Sequence, residues 1–393
     1  MGVAGNVAVI GAGLTKFGEN FHLSYMDMIV EAAHEALADA ALGPEAIEAA
    51  WLGTCYPDDS GYEGHTGASL ADALGLSPRP VTRVTNLCAT GMDAVRNAAF
   101  SLAAGEFGCV LVVGAEKMRD VSARETLVAR HVERTHPLLC KGRTAPGQFA
   151  LLATRYLAAH GLDRRVLAEV AVKNHANGAL NPKAHLQRPV SLQQVLDAPM
   201  VAEPLGLLDC CPTTDGAAAV LLAPRELAER RGRPFALIRG IGLGTHASQF
   251  TVPYRPDDFL GFPATQAAAR AAYGQAGIAD PAAEIQVAEV HDCFTITEIL
   301  NYEDLGLAPR GQGWRLITEG VTTLKGSLPI NPSGGLKSFG HPIGATGVRM
   351  VAEVYAQVTA RAGKRQVAGA TRGLAHTLGG PGVVACVAIL EGG

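Results

Sequence analysis

The feature that most restricts the fold is an internal echo. Residues 88–95 read CATGMDAV and residues 344–351 read GATGVRMV, so Ala-Thr-Gly opens a long helical pattern twice, each followed after one connection by a strand-like run. Matched helix starts at this separation indicate a duplicated unit. The chain has 393 residues, and domains run roughly 100–200 residues, so two related halves with their own cores are expected.

The rest of the pattern fits alternating strands and helices. Residues 7–10 form a β-branched run ending at Gly11, and 25–41 carry helical apolar spacing. Strands are expected at 50–56, 83–87 and 109–114, and helices at 66–74 and 89–104. Residues 118–204 are less regular and richer in Arg, His and Pro, with helices near 146–159 and 165–176, which reads as an inserted lobe. The strand rhythm resumes at 216–222. A second series follows: strand 235–244, helix 265–276, strand 285–290, helices 295–305 and 345–359, and closing strands near 367–374 and 383–390. The expected division is residues 1–117 with 205–232, the lobe 118–204, and residues 233–393.

Charge and composition narrow the partners. The net charge is −4 with no long basic run, which removes the electrostatic footprint of nucleic-acid binding. No apolar stretch of about 18 residues is present and the N-terminus lacks a signal-peptide pattern, so a soluble, cytoplasmic protein that does not span a membrane is expected. The eight cysteines include no CxxC pair, so no metal site is expected and most should be reduced thiols.

Four segments carry chemistry. Cys88 sits at a strand-to-helix turn, where free backbone N–H groups and the helix dipole favour a thiolate. His291-Asp292-Cys293-Phe294 follows an apolar run, placing a histidine and a second thiol at a strand end, where α/β sheets carry their sites. His341 lies in a Gly/Pro-rich loop ahead of the second long helix and mirrors Cys88, so the two should face each other. The turn His376-Thr377-Leu378-Gly379-Gly380-Pro381-Gly382 exposes backbone N–H groups, and one of them with the Cys88 N–H could hold an oxyanion. Each segment alone also has a plain reading: a buried cysteine, a helix-capping histidine, a solvated loop histidine and an ordinary hairpin.

Taken together, Cys88-Ala-Thr-Gly, His291-Asp-Cys-Phe, GGLKSFGHPIGATG and HTLGGPG resemble thiolases, in particular the sterol carrier protein-type branch, in the same order along the chain. The resemblance implies two βαβαβαββ halves in a five-layered α-β-α-β-α arrangement with a loop lobe, and a homodimer. It implies Cys88 as acylated nucleophile, His341 as its activator, His291 and His341 around a thioester oxygen, and Cys293 as acid/base. Many thiolases carry that acid/base cysteine in a late Cys-x-Gly motif. Here His376-Thr-Leu stands in its place, a departure that fits the branch.

Coenzyme A and acyl-CoA are implied as substrates with no permanently bound cofactor, and Asn174, His175, Ser248 and Ser333 are the polar candidates for contacting them. Some relatives of the branch act with a small OB-fold and zinc-ribbon partner, so a protein partner is expected as an option. The expected reaction is thiolytic cleavage of a 3-oxoacyl-CoA or the reverse Claisen condensation. The alternatives are a carbon acyltransferase or aldolase-type lyase on the same fold, and a non-catalytic acyl-CoA-binding subunit. No sterol carrier domain is read after Gly393, so lipid transfer is not expected.

Overall fold

The structure, a computed structural model, describes residues 2–57, 64–122, 144–246 and 260–393. Ser248, Cys140 and part of the lobe expected at 118–204 lie outside the described residues.

The first half runs β1 (Val7–Leu14), α1 (Tyr25–Ala40), β2 (Ala49–Gly53), α2 (Ala68–Ala73), β3 (Val81–Val84), α3 (Thr90–Ala104) and β4 (Val110–Glu116). Helix α1 starts where a capping box forms. Ser24 Oγ accepts from the Asp27 N–H, and the Asp27 carboxylate accepts from the Ser24 N–H. Then come α4 (Ala145–His160), α5 (Arg165–Gly178), α6 (Leu192–Leu196) and the small hairpin β5 (Met200–Ala202) and β6 (Leu205–Gly206), before β7 (Gly216–Pro224) and α7 (Arg225–Arg230) close the half.

The second half comprises β8 (Ala236–Thr245), α8 (Pro263–Ala276), α9 (Pro281–Glu284), β9 (Val287–Glu289), α10 (Thr295–Asp304), α11 (Gly313–Thr318), α12 (Gly335–Phe339), α13 (Ile343–Val358), β10 (Arg372–Gly379) and β11 (Val384–Gly392).

Strand order makes the duplication explicit. The sheet reads β3-β2-β4-β7-β1-β8-β11-β10-β9. In the first half β1 and β7, and β7 and β4, pair antiparallel, while β4, β2 and β3 run parallel. In the second half β8 and β11, and β11 and β10, pair antiparallel, while β10 and β9 run parallel. A parallel bridge from Ala288 to Ile330 stands where a counterpart of β3 would be. The halves join through two antiparallel residue pairs, Ala8 with Leu237 and Val9 with Ala236, so the two half-sheets form one continuous sheet.

Successive side chains of the central strands face opposite ways. Val110 and Val112 of β4 point into the core around α3 and α13, whereas Leu111 and Val113 point into the core beneath α1. Burial on both faces explains their unbroken apolar sequence. Helices α1 and α8 cover the outside of the two half-sheets, and α3 packs on α13 between them, giving the expected α-β-α-β-α layering.

Two boundaries need correction, and one is the strand expected at 83–87, which runs Val81–Val84 and leaves Leu87, at φ +49°, in the bend before α3. The first closing strand is Arg372–Gly379, not 367–374. Val367 and Ala370 instead pack with Val287 in a small separate cluster, and Gly369 turns the chain at φ +72°. The strand therefore includes His376, Thr377 and Leu378, and the turn shortens to the few residues after Gly379, of which Pro381 and Gly382 are buried.

The crossing of α3 and α13 is tight because glycines face backbone there. A Cβ on Gly91 would stand 2.4 Å from the Gly344 carbonyl oxygen, and one on Gly347 would stand 2.2 Å from the Met92 nitrogen. Gly347→Ala is therefore expected to destabilise the protein by about 1–3 kcal/mol through overpacking. Gly274→Ala, on α8 where a Cβ meets nothing within 4 Å, should be stabilising by up to about 1 kcal/mol. Thermal unfolding of the two variants against the parent checks the contrast; a Gly347→Ala protein as stable as the parent would contradict it.

Candidate active site

The helix crossing sets the site, because Cys88 precedes α3 and His341 precedes α13. Leu87 holds φ +49°, an uncommon value for a non-glycine residue. The Thr90 hydroxyl donates to the Leu87 carbonyl at 2.5 Å and accepts from the Asn86 N–H at 2.7 Å, tying the elbow to the first turn of α3. This bend presents Cys88 to a cavity that His291, Cys293 and His341 also line, together with Cys210 and Cys211.

The Cys88 sulfur and one ring nitrogen each of His291 and His341 lie within 4.8 Å of one another. The imidazoles meet edge to face, with centroids 5.2 Å apart. These three atoms are also the described set spaced to hold a soft metal ion.

Hydrogen bonds decide the protonation of the two imidazoles. Thr346 Oγ1 lies 2.8 Å from the Pro342 carbonyl, to which it donates, and 2.7 Å from His341 Nδ1. A hydroxyl has one proton, so Nδ1–H must be the donor to Thr346, and His341 Nε2 is left as a free base. His291 Nδ1 is buried without a partner. An unmet acceptor there is less unfavourable than an unmet N–H, so the proton sits on Nε2, which can donate into the cavity. The pair thus offers one base and one donor. Burial pushes the His341 pKa down to about 3, and Arg349 adds to this; burial followed by the neighbouring His341 also lowers that of His291.

Cys88 is partly open to the cavity, but its surroundings push the thiol up to about 12, mainly through burial and further through Glu116. Opposing this, the backbone N–H groups of Gly380 and of Cys88 itself draw the thiol pKa down. Of the two glycines expected to serve an oxyanion, Gly380 is the one whose N–H acts on the Cys88 thiol, whereas Gly379 ends β10 in register with Val384. Cys293 is buried with its sulfur 3.7 Å from Thr297 Oγ1, and burial with the nearby Cys211 and Cys88 thiols raises its pKa.

The supporting groups were less visible in the sequence. Glu116, the acid ending the apolar strand β4, accepts from Thr54 Oγ1 and from the N–H groups of Cys55, Tyr56 and Gly344, at 2.8–3.1 Å. It fastens the ends of β2 and β4 to the start of α13. Asp292 accepts from the N–H groups of Leu336 at 2.6 Å and Lys337 at 3.2 Å, fixing the loop that carries His341 to the corner that carries His291. Gly335 permits this: at φ +60°, a Cβ there would stand 2.2 Å from the Asp292 carboxylate.

His376 does not line the cavity. Its Nδ1 lies 3.5 Å from the His291 N–H and its Nε2 3.1 Å from Thr265 Oγ1, while Asn301 donates to the His291 carbonyl at 3.0 Å. It holds the His291 backbone.

Three polar candidates for acyl-CoA contact sit elsewhere. Asn174 is fully buried, and its amide donates to Asp292 at 2.7 Å and to Glu298 at 2.6 Å. His175 is buried against the Arg188 carbonyl at 3.1 Å. Ser333 donates to Glu289 at 2.7 Å and accepts from Arg349 at 2.8 Å. None of the three lines the cavity. Asn174 thus ties α5 to α10, and Ser333 ties the loop before α12 to β9 and α13, while Asn174 Oδ1 and His175 Nε2 are buried with no hydrogen-bond partner among the described residues.

A duplicated five-layer α/β fold with a cysteine and a histidine delivered by paired central helices defines a thiolase-type architecture. The chain belongs to the thiolase family: the model of the thiolase N-terminal domain matches residues 7–226, and that of the thiolase C-terminal domain-like family matches 245–392. It is 39% identical to the acetyl-CoA acetyltransferase of Methanothermobacter thermautotrophicus over 98% of this chain and 99% of that protein. It is 35% identical to sterol carrier protein 2 of Oryctolagus cuniculus over 95% of this chain and 70% of that protein. Among solved structures it resembles a chain of an Ltp2-ChsH2(DUF35) aldolase, with TM-score 0.87 and 27% identity over 99% of this chain and 98% of that one. A monomeric SCP2-thiolase like protein type 1 from Mycobacterium smegmatis shares the fold, at TM-score 0.73 and 22% identity over 100% of this chain and 78% of that one.

Because the resting pair is a thiol beside a neutral imidazole rather than an ion pair, Cys88 alkylation by iodoacetamide should rise by about tenfold per pH unit from roughly pH 7 to 9. A rate independent of pH down to about pH 5 would reveal a standing thiolate and contradict the assignment.

Proposed function

We propose that the protein is a thiolase that cleaves a 3-oxoacyl-CoA with coenzyme A, or runs the reverse Claisen condensation, through an acyl group on Cys88. The observation that carries this reading is the convergence of Cys88, His291, Cys293 and His341 on one cavity, with the Cys88 sulfur and a ring nitrogen of each histidine within 4.8 Å of one another.

In the degradative direction His341 Nε2 takes the Cys88 proton as the thiolate attacks the 3-oxo carbon. The Cys88 and Gly380 N–H groups face the oxyanion that forms, and collapse breaks the bond between the α and β carbons. The departing enolate of the two-carbon thioester has its oxygen near His291 Nε2–H, and Cys293 protonates its carbon. The resulting Cys293 thiolate deprotonates incoming coenzyme A, whose sulfur attacks the acyl-Cys88 thioester. Cys88 leaves as a thiolate and recovers its proton from His341. Coenzyme A is thus consumed as a substrate, with no cofactor held permanently.

The likeness to an aldolase chain keeps a lyase on the same fold in view. A retro-aldol cleavage needs no acylated thiol, so retention of all four groups around the cavity favours the thiolase reading. The DUF35 protein named with that neighbour supports a small partner protein as an option here, with acyl-CoA as the shared ligand. A cytoplasmic location fits the absence, among the described residues, of a helix long and apolar enough to cross a membrane. β3 ends the sheet and pairs with β2 alone among the described strands. Such an open edge suits a second copy of the chain, so a homodimer is expected in sedimentation.

The step assignments separate by variant. Cys88→Ala should abolish thiolysis. Cys293→Ala should still become acylated at Cys88 when mixed with an acyl-CoA, while losing both thiolysis and α-proton exchange in D2O, by roughly 100-fold or more. Thiolysis by Cys293→Ala at the parent rate would discard Cys293 as the acid/base.

A further inference from the structure

The trio that meets ahead of α3 has the donor chemistry of a metal centre. The Cys88 sulfur and one ring nitrogen each of His291 and His341 lie within 4.8 Å of one another. They come from three separate elements: the bend before α3, the turn after β9 and the loop before α13. One sulfur with two imidazole nitrogens is a zinc-type donor set, and three protein ligands leave a fourth position open. Bonds of about 2.3 Å to sulfur and about 2.0–2.1 Å to nitrogen put neighbouring donors of a tetrahedral ion roughly 3.3–3.6 Å apart. The trio reaches that spacing by closing about 1 Å, within small rotations of the side chains.

We infer that the protein has an inhibitory metal site, at which one Zn2+ ion is held by Cys88 Sγ, His291 and His341 with its fourth position open to the cavity. Bound there, the ion takes up the nucleophile and its base together and stops covalent chemistry at Cys88.

The surroundings prepare two of the ligands and leave the third less supported. Thr346 engages His341 Nδ1–H at 2.7 Å, which turns the Nε2 lone pair outward and supplies the outer hydrogen bond that a metal-ligating histidine uses. The Glu116 carboxylate fixes the Gly344 N–H at the start of α13, and Asp292 fixes the loop before it, so the His341 side is set before an ion arrives. On the other side Asn301 holds the His291 carbonyl, but His291 Nδ1 is buried without a partner. When Nε2 binds the ion, the ring proton moves to that unpaired Nδ1, and a missing outer partner costs about 10–100-fold in affinity. The ion is therefore held reversibly. The balance is simple: the zinc–sulfur bond forms as the Cys88 S–H bond breaks, the thiol proton passes to water, and nothing is oxidised or reduced. Spacing rules such as CxxC cannot report this site, because only the fold brings its donors together.

The test titrates the full-length, reduced, chelator-treated protein with Zn2+ in a calorimeter and with Co2+ as a spectroscopic probe. One Zn2+ per chain is expected, with a Kd of about 10 µM or tighter, and Co2+ should show the visible bands of a tetrahedral ion together with a thiolate charge-transfer band. Cys88→Ala should lose the charge-transfer band and bind Zn2+ at least about 100-fold more weakly, and His341→Ala at least about 10-fold more weakly. Cys211→Ser, which removes a neighbouring thiol outside the ligand set, should leave the Kd and the band as in the parent. Saturating Zn2+ should slow alkylation of Cys88 by iodoacetamide at least about tenfold, and Mg2+ should not. Thermal unfolding confirms that each variant is folded.

A Kd weaker than about 10 µM overturns the inference, as does Zn2+ bound equally well by the parent and by folded Cys88→Ala. Loss of the charge-transfer band in Cys211→Ser overturns the assigned ligands. Unchanged alkylation of Cys88 at saturating Zn2+ overturns the inhibitory role. None of these readouts needs turnover. A protein that binds Zn2+ in this way yet cleaves no 3-oxoacyl-CoA defeats the thiolase reading alone, and one that cleaves its substrate but binds no Zn2+ at Cys88 defeats only the metal site.

Discussion

The approach of α3 to α13, glycine against backbone, is the contact on which the rest of the molecule depends. It lies where the two halves meet, and it brings together the residues that precede each helix. Gly91 and Gly347 let the backbones close to distances that any side chain would prevent. Glu116 then fastens the Gly344 N–H to the ends of β2 and β4. The result is a nucleophile from one half and its base from the other on a shared, buried axis.

The chemistry follows from low polarity around groups held in one protonation state. Burial and the Arg349 cation keep His341 neutral, Thr346 orients it as a base toward the sulfur, and the partnerless Nδ1 of His291 leaves that ring as a donor. The thiol rests protonated, so its activation belongs to the moment of attack, when the Gly380 and Cys88 N–H groups face the developing charge. Arg349 itself is enclosed and paired with Glu289 and Ser333. It acts on the imidazoles as a fixed charge, with no direct contact to the cavity.

Much of this was legible in the sequence, for a specific reason. The paired Ala-Thr-Gly helix starts report both the duplication and the proximity of Cys88 to His341, and an apolar run ending in His-Asp-Cys places His291 and Cys293 at a strand end. These signals are local. Asn174, His175 and Ser333 do not line the cavity, and a polar residue beside a recognisable motif looks the same in sequence whether it faces substrate or braces a buried loop. Glu298, distant in sequence, is what claims Asn174, and no periodicity announces such a pairing. The same blindness hid Thr346 and Glu116, whose importance lies in partners 5 and 228 residues away. The strand at 372–379 was set too early because its position depends on pairing with β9 and β11, which local propensity does not report.

The central claim is that carbon–carbon bond cleavage passes through a covalent acyl group on the thiol delivered by α3. Peptide mapping by mass spectrometry of protein quenched during turnover of a 3-oxoacyl-CoA tests it most directly. The account predicts the shortened acyl group on the peptide containing Cys88, and its absence there in Cys88→Ala. Turnover with an unmodified Cys88 peptide, or with the acyl group confined to Cys211 or Cys293, would contradict it.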